Sequence, residues 1–178
     1  MELQRSSVGP VPDFRALYTS KAPLVWRTLK RLGVREADLE DVAQEVFVVV
    51  HRRLPEFEGR SSIDTWLYGI CLRIASDFRK KAHVKRETDL GEAPERSHSG
   101  ETATRQIAMR QARLKLDEAL NELDEDKRAV FVLFELEQLS MQEVADTVGA
   151  PVQTAYARLY AARKHIEAFV NQQRQVSA

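Results

Sequence analysis

Apolar residues recur every three or four positions along most of this chain, and strict alternation is nearly absent. The pattern therefore predicts helices and no sheet. From Asp13, the residues Phe14, Leu17, Tyr18, Val25, Leu29 and Leu32 fit one helix ending at Gly33, with Pro23 expected to break or kink it. A second helix is predicted from about Glu36 to Leu54, with Leu39, Val42, Val46, Val49 and Val50 on one broad side. Pro55 and Gly59 bound a short polar loop. Ser61 or Ser62 can cap a third helix, in which Ile63, Leu67, Ile70, Ile74 and Phe78 repeat at the same spacing.

After Lys81 the texture changes. Residues 84–104 hold almost no large apolar side chain, but two glycines, a proline and many charges. Such a segment cannot bury enough surface to order itself, so it reads as a flexible linker. The expected organisation is all-α: two small helical domains, 13–83 and 105–172, joined by that linker.

In the second domain a helix from near Arg105 to Leu123 carries Met109, Ala112, Leu116, Leu120 and Leu123, and Asp124 caps another containing Val130, Phe131, Leu133 and Phe134. Ser140 and Glu143 then form a capping box, opening a short helix with Val144, Ala145 and Val148. Gly149 can end that helix in the left-handed conformation, and Pro151 suits the first position of the next. A short capped helix, a glycine turn and a longer helix make a helix-turn-helix.

On a wheel of one hundred degrees per residue, Val152, Ala155, Leu159, Ala162, Ile166 and Phe169 share the inner side of the last helix. The outer side is Gln153, Ala157, Tyr160, Ala161 and Lys164, flanked by Tyr156 and Arg163 on one edge and by Thr154 and Arg158 on the other. Small residues there allow close approach, polar groups reach base edges and basic groups meet phosphates, so the face suits a DNA major groove. The plainer alternative is a helix-turn-helix packed inside an all-α protein.

Charge sharpens this picture. The formal net charge of the 178 residues is +0, but acids and bases lie in blocks. Glu36, Asp38, Glu40, Asp41 and Glu45 form an acidic run; Arg73, Arg79, Lys80, Lys81, Lys85 and Arg86 form a basic one. Alternating blocks suit a protein that meets polyphosphate on some faces and a basic protein on others, although solvated helix faces explain any single block as well. Asp38, Asp41 and Glu45 share one stripe beside the apolar face, with Val48 nearby, which fits an interface for a basic partner. An acid cluster complementing the helix dipole is the competing reading, and it explains Glu45 least. Cys71 is the only cysteine, read as a small buried side chain, and the four histidines are scattered. No catalytic motif, metal site or cofactor is expected, no membrane insertion either, and the N-terminus lacks a secretory core, which points to the cytoplasm.

Two stretches resemble a known family. Asp38 to Phe47 (DLEDVAQEVF) with Ser61 to Ile70 (SSIDTWLYGI) is similar to region 2 of the extracytoplasmic-function (ECF) sigma factors, and Leu139 to Arg163 resembles their region 4. The resemblance covers about residues 13–170 and implies a transcription initiation factor without catalytic activity. Its partners would be core RNA polymerase, through the β′ clamp helices and the β flap, and promoter DNA; an anti-sigma factor is a further candidate. The resemblance puts polymerase contacts on Asp38, Asp41, Gln44 and Glu45. It puts −10 contacts on Arg60, Ser61, Ser62, Asp64, Thr65 and Trp66, with Arg73, Arg79, Lys80 and Lys81 following the backbone. Trp66 has an equal claim to core packing, because it neighbours Leu67 and Ile70. Reading of the −35 element would fall on Gln153, Thr154, Tyr156, Ala157, Arg158, Tyr160, Ala161, Arg163 and Lys164.

The chain departs from the family pattern at Ile63 and Asp64, where an aromatic and a base are commoner, and at Tyr156, Ala157 and Ala161, where a base or serine is usual. Its preferred −35 sequence is therefore expected to differ from the commonest one. A DNA-binding regulator that works without polymerase would leave the acidic stripe unexplained. A structural helical adaptor would bind no DNA.

Overall fold

The computed structural model describes residues 13–88 and 104–176, which form seven α-helices and no strand. Helix α1 (Phe14–Arg31) starts at Asp13, whose carboxylate accepts the Ala16 N–H at 3.1 Å. It runs unbroken through Pro23, so of the break or kink expected there the break does not occur. Pro23 and Thr19, whose carbonyl loses its partner, both lie on the exposed side, where water can replace the bond, while Leu17 and Val25 anchor the helix to either side. The end of α1 is a Schellman turn. Gly33, at φ +89°, donates to the Lys30 carbonyl, and Val34 donates to the Leu29 carbonyl.

Helix α2 (Leu39–Arg53) follows a 3-10 turn at Glu36–Asp38, and helix α3 (Ile63–Thr88) is capped by Ser62, whose hydroxyl accepts the Thr65 N–H at 3.0 Å. Thus α3 continues past the expected boundary at residue 83; the remainder of the anticipated linker, 89–103, lies outside the described residues. Helix α4 (Thr104–Glu122) buries Ala119 and Leu120, whereas Met109 and Ala112, expected on its core side, are exposed.

Asp124 caps helix α5 (Glu125–Phe131), accepting the Lys127 N–H at 2.9 Å. The chain then widens into a π-helical turn, Val132–Leu136, before helix α6 (Met141–Val148). Both hydrogen bonds of the Ser140–Glu143 capping box form, and Gly149 stands at φ +66°. Helix α7 (Val152–Val176) begins one residue later than expected, Pro151 accepting the Ala155 N–H just before it.

Helices α1, α2 and α3 pack on one another around Val25, Leu29, Val42, Val46, Val50 and Leu67. Helices α4 to α7 enclose Leu120, Val130, Leu133, Val144, Ala155 and Leu159. Each of these valine and leucine side chains contributes roughly 1.5–3 kcal/mol by leaving water. The two sets also touch, chiefly where α3 meets α6, and their buried residues form one connected cluster.

Candidate functional site

Three surfaces carry the residues singled out by sequence. The first lies on α2. Asp41, Gln44 and Glu45 are exposed in successive turns, with Val48 (47% exposed) beside them. Asp38 belongs to the same stripe but sits in the preceding turn, ion-paired to Arg35 at 2.6 Å. A groove adjoins the stripe, lined by Phe14, Tyr18, Gln44, Phe47, Val48, His51 and Arg52. Tyr18 leans on Phe47 with ring centroids 4.5 Å apart, and Phe14 meets the His51 ring edge-on at 4.8 Å. Sequence reasoning assigned Phe14 and Tyr18 only to a packed helix face. Their four-residue spacing, repeated at Phe47 and His51, was the available signal for a shared aromatic floor.

The second surface is the loop after α2 and the start of α3. Arg60 is fully exposed and held by Glu58, which raises its pKa above the usual guanidinium value. Ser61 and Ser62 are exposed. Trp66 is half-buried, its ring 5.3 Å from that of Phe57. Asp64 pairs with Lys21 of α1 at 2.6 Å. Thr65 is buried, and its hydroxyl reaches Glu143 of α6 at 3.3 Å. Arg73, Lys80 and Lys81 are exposed along α3, and Arg79 is partly covered. The structure thus brings Arg60, Ser61, Ser62 and Trp66 together at one end of α3 and strings the bases out along the helix.

The third surface is the outward side of α7. Gln153, Thr154, Tyr156, Ala157, Tyr160 and Lys164 are exposed, Tyr160 at 72%, while Ala155, Leu159 and Ala162 are buried beneath them. The flanking arginines are engaged within their own domain: Arg158 with Asp126, and Arg163 with Glu135. Ala161 is partly covered. A strip of small and aromatic residues with an amide at its start and an amine at its end is therefore presented to the outside.

Sequence reasoning missed a fourth constellation, at the junction of the two domains. Glu137, just after the π-helical turn, has a side chain only 2% exposed. Its carboxylate receives Arg31 at 2.7 Å, Arg27 at 3.3 Å and the Tyr68 hydroxyl at 2.8 Å. Burial, then the hydrogen bond to Glu137, pushes the Tyr68 phenol well above its ordinary pKa. Nearby, Arg128 is buried, with no carboxylate among the described residues bonded to its guanidinium. It donates to the carbonyls of Leu120, Asn121 and Leu123 at the end of α4, and to the Leu32 carbonyl at the end of α1. One cation therefore serves two helix C-termini, where partial negative charge gathers. Burial lowers its pKa to about 10, so it stays charged at neutral pH. A Cβ at Gly33 would stand 2.2 Å from Arg128, so glycine is needed there for space as well as for its φ. No spacing rule links residues a hundred positions apart, so this cluster was not visible in sequence. Burial raises the Cys71 thiol to about 12, in keeping with an inert core residue.

Comparison with known proteins matches residues 17–84 to the Sigma-70 region 2 family and residues 113–166 to Sigma-70, region 4. The ECF RNA polymerase sigma-E factor of Haemophilus influenzae is 30% identical over 173 residues, covering 93% of this chain and 91% of that protein. The RNA polymerase sigma-H factor of Pseudomonas aeruginosa is 31% identical over 138 residues, 73% of this chain and 72% of its own. Among solved structures, the sigma factor RpoE bound to the anti-sigma factor NepR from Bartonella quintana covers 89% of this chain and 97% of its own, with a TM-score of 0.67 at 20% identity.

Proposed function

The chain belongs to the ECF group of the sigma-70 family of RNA polymerase sigma factors, and from that premise we infer how its surfaces divide the work of promoter-specific initiation. It binds core polymerase and directs it to promoter DNA. The exposed carboxylates Asp41 and Glu45, with Gln44 between them and Asp38 at the edge, take hold of a basic helical surface on the β′ subunit. The aromatic groove beside them supplies apolar contact. The loop bearing Arg60, Ser61 and Ser62, with Asp64, Thr65 and Trp66, opens and holds −10 DNA, and Arg73, Arg79, Lys80 and Lys81 follow its backbone.

On α7, Gln153, Thr154, Tyr156, Ala157, Tyr160 and Ala161 face the bases of the −35 element. Lys164 meets phosphate, as do Arg158 and Arg163 once they exchange their present partners. In this reading residues 13–83 are the region 2 domain, 84–104 the connecting segment and 105–172 the region 4 domain, which also meets the β flap. The protein works in the cytoplasm, beside polymerase and chromosome, and catalyses no reaction of its own. An anti-sigma factor is a fitting additional partner, since a structural relative of this fold is bound by one.

The observation that carries the assignment is the pairing, on one short chain, of an open carboxylate row and an outward helix-turn-helix face. The test is assembly with core polymerase. Mixed with core enzyme, the chain should co-elute with it and move a promoter fragment that neither retains alone. Elution of the two as separate peaks would remove the polymerase assignment.

A further inference from the structure

Tyr156 and Tyr160 stand on the outward face of α7 at 54% and 72% exposure, and Tyr160 is the most exposed large apolar side chain among the described residues. Neither hydroxyl has a hydrogen-bond partner among those residues. The packing of the domain makes no use of the two rings, because Ala155, Leu159 and Ala162 supply the buried side of the helix. An aromatic ring left in water becomes a source of binding free energy once an apolar group covers it. The neighbours keep the face open: Ala157 and Ala161 carry nothing beyond Cβ, so the backbone can come close to a partner. The two tyrosines are one turn apart, about 6 Å along the helix axis. Base pairs are stacked about 3.4 Å apart, so the two rings meet different base pairs.

The charged side chains of the same helix are turned elsewhere. Arg158 is paired with Asp126, and the Arg163 Nε–H donates to Glu135 at 2.6 Å while its guanidinium lies 5.8 Å over the Phe134 ring. Guanine is read in the major groove chiefly by paired hydrogen bonds from arginine or lysine to O6 and N7. Both arginines beside the tyrosines are held by acids of their own domain, and Lys164 lies one turn beyond Tyr160. Among the four base edges of the major groove, only thymine presents an apolar group, its 5-methyl. Exposed rings next to engaged arginines therefore suit thymine and not guanine.

We propose that Tyr156 and Tyr160 are specificity-determining residues that read the −35 element through the 5-methyl groups of thymine, so that the preferred element carries thymine opposite the two rings. This deepens the assignment of α7 to the −35 element and rests on it. Covering a ring with a methyl group removes apolar surface of both from water, which cytosine, with a bare C5, does not repay. With Gln153 suited to adenine at the start of the same face, the helix selects A·T pairs over G·C pairs along its first two turns.

The test uses holoenzyme and a promoter fragment bearing the −35 element that it selects. Each thymine of that element is replaced in turn by deoxyuridine, which removes the 5-methyl and leaves the hydrogen-bonding edge unchanged. At one or two positions the wild-type holoenzyme should bind about fourfold more weakly, the effect of one buried methyl group. With Tyr156→Ala and Tyr160→Ala combined, the same replacements should cost nothing further, because no ring remains to cover the methyl. Tyr160→Phe keeps the ring and should keep the sensitivity; its disappearance there would make the hydroxyl the reader and overturn the proposal. An element without thymine would overturn it too, as would wild-type binding indifferent to deoxyuridine at every position. These results would strike the methyl readout while leaving α7 as the −35 reader. The wild-type comparison needs no variant, so it decides the matter even if the double variant loses helix content. If changes at Gln153, Tyr156 and Tyr160 all leave the upstream preference untouched, the α7 assignment itself falls, and the methyl readout with it.

Discussion

Two charged faces, on α2 and on α7, stand in opposite states. Asp41 and Glu45 on α2 are exposed and have no ion pair among the described residues. On α7, Arg158 and Arg163 are already matched with Asp126 and Glu135, whereas Lys164 further along is exposed with no ion pair among the described residues. An unpaired row offers its full attraction to an incoming partner. A pre-paired row offers only the difference between the old partner and the new one. The α2 stripe is therefore suited to supply affinity, and the α7 face to supply discrimination through its uncharged groups.

Reversing the open row should give the largest effect. Asp41→Lys with Glu45→Lys is expected to weaken binding to core polymerase on the order of 100-fold, since opposed like charges cost several kcal/mol. Helix content by circular dichroism should stay unchanged; undiminished binding by the folded double variant would remove the stripe from the interface. On α7, Gln153→Ala should reorder −35 preferences in the holoenzyme, costing about 1–3 kcal/mol on the best site if its amide pairs with adenine. Lys164→Ala should instead weaken all sites alike and reduce the salt dependence by about one phosphate. The reverse assignment of these two effects would mean that α7 lies differently in the groove.

A smaller effect concerns the support beneath α7. Ser140→Ala should destabilise the second domain by about 1 kcal/mol in urea unfolding at neutral pH. The Ser140 hydroxyl and then its backbone N–H hold the Glu143 carboxyl below its usual range, with Thr65 adding to this against a small burial penalty. A depressed folded pKa means that this stabilisation is present above the carboxylate's unfolded pKa and is lost as pH falls through the folded value. The difference between wild type and Ser140→Ala should therefore shrink on acidification. The smallest expected effect comes from the paired arginines. Asp126→Ala frees Arg158 and should strengthen holoenzyme binding a few-fold at low salt, the gain fading as salt rises, because an exposed ion pair holds its members only weakly.

Elements governed by local rules were legible in the sequence. The Ser140–Glu143 box, the turn at Gly149, the Asp124 cap and the inner row Ala155, Leu159 and Ala162 depend on neighbours three or four residues away, and each stands where its spacing puts it. Pro23 misled because the rule against proline in a helix assumes a carbonyl with no alternative partner, and Thr19 faces water. Met109 misled because a periodic apolar position is buried only if something covers it. For the candidate surfaces, sequence identified exposed side chains well but not their partners. That Arg158 turns to Asp126 and Thr65 to Glu143 follows from how helices meet in space, whereas the Arg35–Asp38 pair is local, three residues apart. Glu137 is the extreme case, an unremarkable acid in the sequence that becomes the most enclosed carboxylate at the domain junction.

The most direct test of the central claim is run-off transcription with core polymerase on a genomic promoter library, mapping the 5′ ends. Addition of the chain should yield discrete start sites downstream of two shared elements, and Gln153→Ala should change the preferred upstream element while leaving the downstream one intact. Transcripts no different from those of core polymerase alone would contradict the account.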